Sequence, residues 1–240
     1  MRKFLSFILL CSVATLFCNA QTDLFPARSL NIAISADAFA GLEFSYNQRF
    51  EIAHTESQAN IHFQTPLLLD IKHHSVNALE LGVSVENRTI SNGRFLLLSE
   101  TGINAMYHHQ VLGDFYPLTL QLKATPALQT KTGYVGLQLG YRQTLANYIR
   151  FSDYTRARFS EIYDTFGHEI AAKPENGFYN LTGHRFEIGI AGKFLVSNKN
   201  FICYEAGYCD YLSRYTSAFD GMMFGQLPFF MKIKFGFTLQ

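Results

Sequence analysis

The chain has 240 residues, of which 48% are hydrophobic, 15% aromatic and 16% charged, with a formal charge of +1. A chain this apolar and aromatic is not disordered, and it lacks the basic excess of a nucleic-acid binder. Twenty-three Phe and thirteen Tyr stand beside six Pro and no Trp, a bias toward extended strands, and the mean hydropathy of +0.02 leaves a globular β protein and a membrane barrel as candidates.

Residues 1–20 read as a secretion signal. Arg2 and Lys3 form a positive start, Phe4 to Phe17 carries no charge, and Cys18-Asn19-Ala20 places small side chains three and one before Gln21. The run is too short to cross a bilayer as a helix, and the bulky residues before Cys11 and Cys18 argue against a lipid anchor. With the two basic residues of this segment removed, 18 basic and 19 acidic residues remain, a net of −1.

Beyond Gln21 the dominant signal is alternation with period two. Leu42, Phe44, Tyr46, Phe50 and Ile52 interleave with Glu43, Ser45, Asn47, Arg49 and Glu51. Leu79 to Glu86, Leu118 to Lys123, Val135 to Arg142, Phe186 to Phe194 and Met231 to Leu239 repeat the pattern, with Gly recurring on the polar side. Ten strands are predicted, near 30–37, 42–54, 60–71, 76–86, 94–107, 115–125, 133–148, 184–196, 201–213 and 228–239, with eight or twelve left open. Their length suits a tilted strand crossing a bilayer better than a soluble sandwich or a lipocalin-like barrel, the alternatives. If both chain ends lie on one side, connections should alternate between short and long. The short Ser197-Asn200 link, flanked by long ones, has that parity, whereas His54–Ala59 is long for a short turn and Lys72–Ser75 is short for an outer loop.

Cys203 and Cys209, six apart in a strand-like stretch, are too far apart to bridge unless the chain reverses at Glu205-Ala206-Gly207. Free thiols are expected.

On the polar side of the alternation, Glu43, Glu51, Glu80, Glu86, Glu187 and Glu205 face Arg49, Lys123, Arg142, Lys193, Lys232 and Lys234. In a barrel of about ten strands these balanced charges are expected to pair across a narrow lumen and plug it, the alternative being solvated residues in a partly water-filled interior. His73, His74, His108, His109, His168 and His184 gather toward the predicted outer end. Adjacent histidines on a strand point to opposite faces, so they are expected to be polar rim residues, and no cofactor or metal is implied.

The connection at 148–183 departs from the pattern. Phe159, Ile162, Tyr163, Phe166 and Ile170 recur at helical spacing, which predicts a short helix over 153–172 before Pro174. Arg150, Arg156 and Arg158 at its start are candidates for binding lipopolysaccharide phosphates by forked hydrogen bonds. The other reading, favoured for arginines this close to acids, is a lid over the lumen with Arg paired to Asp153 or Glu161.

Evenly spaced amphipathic strands behind a secretion signal, ending in Phe229-Phe230-Met231-Lys232-Ile233-Lys234-Phe235-Gly236-Phe237, resemble small outer-membrane β-barrel proteins of Gram-negative bacteria, and the signal ending before Gln21 is similar to those of Bacteroidota. The resemblance implies an all-β, single antiparallel transmembrane β-barrel in the cell outer membrane. Signal cleavage is expected near Ala20, a barrel domain over 21–240, and one long outer loop at 148–183. Outer-membrane lipid, lipopolysaccharide and a protein at that loop are the expected partners, with no nucleic acid. Phosphate loops, Gly-x-Ser-x-Gly elbows and His-Glu-x-x-His motifs are absent, and the pattern of lipid A deacylases is not met. The expected task is non-catalytic, structural or docking, with a plugged lumen. A lipid-modifying outer-membrane enzyme and a narrow selective channel are the alternatives.

Overall fold

The structure is a computed structural model that describes residues 25–36, 40–52, 55–66, 77–91, 94–110, 112–166, 175–179, 183–211 and 228–239. The segment read as a secretion signal, together with His73, His74, His168 and residues 167–172 of the expected helix, lies outside them.

Alternation builds the molecule. The strands are β1 (Arg28–Ala36), β2 (Ala40–Ile52), β3 (Thr55–Pro66), β4 (Asn77–Ser91), β5 (Phe95–Gln110), β6 (Gly113–Gln129), β7 (Gly133–Phe151), β8 (Gly177–Tyr179), β9 (His184–Leu195), β10 (Asn200–Tyr211) and β11 (Phe229–Thr238), with one helix, α1 (Asp153–Phe166). Each strand from β1 to β7 pairs antiparallel with the next, β7 pairs with β9, β9 with β10, and β10 with β11. Pairing of β1 with β11, from Ser29 opposite Thr238 to Ala36 opposite Met231, closes the ring. Ten strands thus form a closed antiparallel barrel, and β8 lies beside the upper part of β7 as a short addition. Closure leaves the ring no unpaired edge.

The two connections that broke the expected parity do so only because the sequence reading set β3 too late. The strand occupies Thr55–Pro66, not 60–71, so residues 53–54 alone separate it from β2 and residues 67–76 separate it from β4. The turns at 53–54, 92–94, 130–132 and 196–199 lie at the same end as Arg28 and Thr238. At the other end lie the connections at 37–39, 67–76, 152–183 and 212–228, and also the close β5–β6 turn at Gly113, whose φ of 147° suits glycine.

One side of every strand is greasy and faces out. Leu30, Ile61, Val83 and Ile103 are each about half exposed, and the last three sit directly opposite one another on β3, β4 and β5. This apolar belt is what a barrel presents to hydrocarbon, so the fold is that of a transmembrane β-barrel. Tyr107, Tyr116, Tyr148 and Phe178 form a chain of aromatic contacts around the long-loop end, with ring centroids 5.3, 5.9 and 5.2 Å apart. No helix among the described residues is long and apolar enough to cross a membrane.

Three local breaks shape the wall between β5 and β7. Pro117 has no N–H, and the β5–β6 ladder is interrupted around it, between Ala105–Leu118 and His108–Phe115, with the register kept. Pro126 does the same to β6–β7, where pairing jumps from Ala124–Leu139 to Ala127–Gly136. Opposite Leu118 and Thr119 the register shifts and Leu145 becomes an extra residue on β7. Below this bulge the even positions of β7 face inward; above it Asn147, Ile149 and Phe151 do so, while Arg150 is exposed.

Candidate functional site

The lumen is the candidate site, and its lining changes along the barrel axis. At the short-turn end, Phe25, just ahead of β1, inserts among Leu96, Leu98, Ala127, Leu195 and Phe201. Its ring lies parallel to that of Tyr134, with centroids 6.2 Å apart. Arg88 stands 4.3 Å from the ring centre, and Lys193 stands 5.0 Å from it and 3.9 Å from the Phe201 ring. Such cation-π contacts and the surrounding aliphatic groups bury Phe25 to 4% exposure. Arg49 fixes the backbone here, its Nη1 donating to the Phe25 carbonyl at 3.0 Å and its N–H to the Ala27 carbonyl at 2.8 Å. Room for Phe201 comes from Gly236, since its ring occupies the place that a β-carbon there would take.

Charge fills the middle. Lys123 on β6 reaches Glu205 on β10 at 2.8 Å and lies 3.9 Å from Glu100 on β5. Glu43 on β2 takes Lys232 and Lys234 from β11, the latter at 3.7 Å. Glu187 on β9 sits 3.2 Å from Arg142 and 3.1 Å from Arg185. A second, mostly neutral chain runs around the wall: Asn47 donates to Ser29, Asn60 to Asn47, His62 contacts Asn60, and His62 Nε2 is 3.3 Å from Glu80. The space left between these groups is a cavity of about 130 Å³, lined also by Glu86 and Cys203. At roughly 30 Å³ per water it holds a handful of molecules.

At the long-loop end the lining turns apolar again, with Phe115, Ile149 and Phe151 buried together against Leu112 and Tyr179. The chain then enters α1. Ser152 caps it, accepting from the Thr155 N–H at 3.2 Å, and Asn176 accepts from the Phe151 N–H at 2.9 Å.

Of the charges singled out by alternation, Glu43, Glu80, Glu86, Lys123, Arg142, Glu187, Lys193, Glu205, Lys232 and Lys234 line this cavity, while Arg49 is at the short-turn mouth and Glu51 is exposed there. Sequence reading missed Glu100, Arg185, His62 and Phe25. Arg185 shares the parity of Glu187, one step before the run begins. Glu100 was hidden because Phe95-Leu96-Leu97-Leu98 is apolar on both faces. Phe25 precedes the first strand and has no period to betray it.

The outer arginines divide. Arg156 pairs with Asp153, and Arg158 with Glu161 at 2.6 Å, all on the exposed side of α1. Arg150 belongs to β7 rather than to a loop and is exposed opposite Asp114. No strand runs alongside α1 among the described residues. His108 is buried toward the lumen, while its neighbour His109 is exposed and pairs with Asp114 at 2.6 Å. His184 Nδ1 lies 2.7 Å from the Tyr141 hydroxyl. Cys203 and Cys209 are both free thiols on one unbroken strand, β10.

Fold and lumen together define a small transmembrane β-barrel with a charge-filled interior. Neither a protein-family model nor a curated protein matches the chain. Among solved structures it is similar to the translocator domain of the autotransporter NalP from Neisseria meningitidis, at 12% identity, with 99% of this chain and 98% of that chain covered and a TM-score of 0.36. The β domain of the Bordetella autotransporter BrkA matches at 8% identity over 89% and 99% of the two chains, also with a TM-score of 0.36.

Proposed function

We propose that the protein is an integral outer-membrane barrel with a plugged lumen and a non-catalytic, structural or docking task, delivered by a secretion signal cleaved near Ala20. The observation that carries this reading is the Phe25 stopper at one mouth together with the pair of Lys123 with Glu205 across the lumen and that of Lys232 with Glu43 over the inner face of β1. Unpaired charge in so narrow a space is costly, whereas matched charge can hold the walls together without a conduit. The segment at 152–183, with its capped helix, is then the docking element, and its exposed Tyr154, Arg156 and Arg158 are the surface offered to a partner. In this reading Arg150 is the contact for lipopolysaccharide phosphate, which its exposure next to Tyr148 supports.

Planar-bilayer recording tests the reading. Purified protein should insert and leave the membrane sealed to small ions. Steady unitary currents from the wild type would instead make it a narrow channel, and altered lipid A acylation in cells carrying the gene would make it an enzyme.

A further inference from the structure

We propose that the short-turn rim of the barrel docks onto the phosphate headgroups of an anionic phospholipid leaflet, through Arg28, Arg94, Lys131 and Lys199. The proposal rests on the membrane reading above. Arg28 opens β1, and the other three lie in the turns before β5, before β7 and before β10. All four are exposed, and none forms an ion pair with a described carboxylate. Of the cations elsewhere, Arg156 and Arg158 are matched by acids on their own helix and Lys123 and Lys232 by glutamates inside, while Arg150 at the opposite end is exposed beside Asp114. Described acids at this rim are Glu51 and Glu56, and Glu56 is already held by Arg88 at 2.7 Å. The opposite end carries Asp114, Asp153, Glu161, Glu175 and Asp210 against Arg150, Arg156 and Arg158. Among the described residues the two ends therefore differ in sign.

Placement on the wall selects the partner. Each cation lies within a few positions of an outward apolar side chain: Leu30 for Arg28, Phe95 for Arg94, Leu128 for Lys131, and Val196 for Lys199. A long basic side chain there keeps its stem on the apolar belt and its head in the phosphate layer. The four are spread around the circumference, on β1 and on three separate hairpins. A lipid leaflet surrounds a barrel on every side and meets all four together.

The test uses the full barrel in nanodiscs of equal phosphatidylglycerol and phosphatidylcholine, counting co-released lipids by native mass spectrometry. The wild type should retain phosphatidylglycerol preferentially, on the order of fivefold per engaged cation at low salt, and the preference should shrink between about 0.1 M and about 1 M salt. Replacing the four (Arg28→Gln, Arg94→Gln, Lys131→Gln, Lys199→Gln) should return the ratio to that supplied, while Arg28→Lys with Arg94→Lys keeps it. Equal retention by wild type and the fourfold variant, or no preference in the wild type, overturns the proposal and leaves the membrane reading standing. Failure of the wild type to enter a bilayer at all overturns both. Binding to isolated peptidoglycan that the fourfold variant loses, with lipid preference unchanged, overturns the proposal in favour of a wall polymer.

Discussion

The Lys123 ammonium lies 2.8 Å from the Glu205 carboxylate, a contact that joins β6 to β10 across the lumen instead of along the wall. Neighbouring strands are already held by their backbone ladder, so a cross-lumen pair adds a constraint that the ladder lacks. Lys123→Met leaves Glu205 and Glu100 facing each other without their shared cation and should cost about 3 kcal/mol. Removing both partners, Lys123→Met with Glu205→Gln, should cost less than the two single changes added together, by about 1 kcal/mol or more. Urea unfolding in detergent, read on folded and unfolded bands by electrophoresis, measures both; strict additivity would show that the contact holds nothing.

Phe25 should act as the stopper of the short-turn mouth. Phe25→Ala removes the ring that Leu96, Leu98 and Tyr134 enclose, at a cost of about 3 to 5 kcal/mol for a large buried aromatic. The expected result in planar bilayers is a flickering conductance absent from the wild type. Baselines that stay equally quiet would mean that the charged middle seals the barrel alone.

Val83 sits midway along β4, outward, between Ile61 and Ile103. Val83→Arg should destabilise the barrel in lipid by about 2 to 4 kcal/mol, because the guanidinium meets hydrocarbon. Folding efficiency into vesicles checks this, and a neutral outcome would mean that water bathes this face.

Deleting Leu145 removes the bulge and should leave the faces of the upper part of β7 as they are, because Thr144 then directly precedes Ala146 and the pairs Thr119–Thr144 and Leu118–Ala146 continue one regular ladder. In a Cys203→Ser/Cys209→Ser background, Arg150→Cys should label quickly with an impermeant maleimide and Ile149→Cys slowly. The order should persist in the deletion, and a reversed order would show that β7 slips by one residue against β6 once the bulge is lost.

Ser152→Ala should fray α1 by about 1 kcal/mol without changing the barrel's unfolding midpoint, since no described strand lies along the helix. Hydrogen exchange at residues 155–161 reads the first effect and urea titration the second.

How much of this was legible depends on distance along the chain. A side chain's face follows from parity, and parity is local: the run from Leu42 to Ile52 already separates Glu43 from Phe44, and the same rule sorts Glu187 from Ile188. A count near ten strands, with Phe229–Phe237 as the last, follows likewise, because a bilayer-crossing length and a period of two both lie within one segment. The helix start was visible in the spacing of Phe159, Ile162 and Tyr163, although the structure describes it only to Phe166.

What the tertiary structure alone decided are relations between segments far apart in sequence. Nothing in residues 133–151 announces that Leu145 bulges, because a bulge is a mismatch between two strands and exists only once β6 lies beside β7. The choice of Glu205 for Lys123, of Glu43 for Lys232, and of the lumen for Phe25 each depends on where the ring closes. Alternation assigns a side chain to a face of its strand; only closure of the sheet assigns it a partner, because the opposite wall exists only when β11 meets β1.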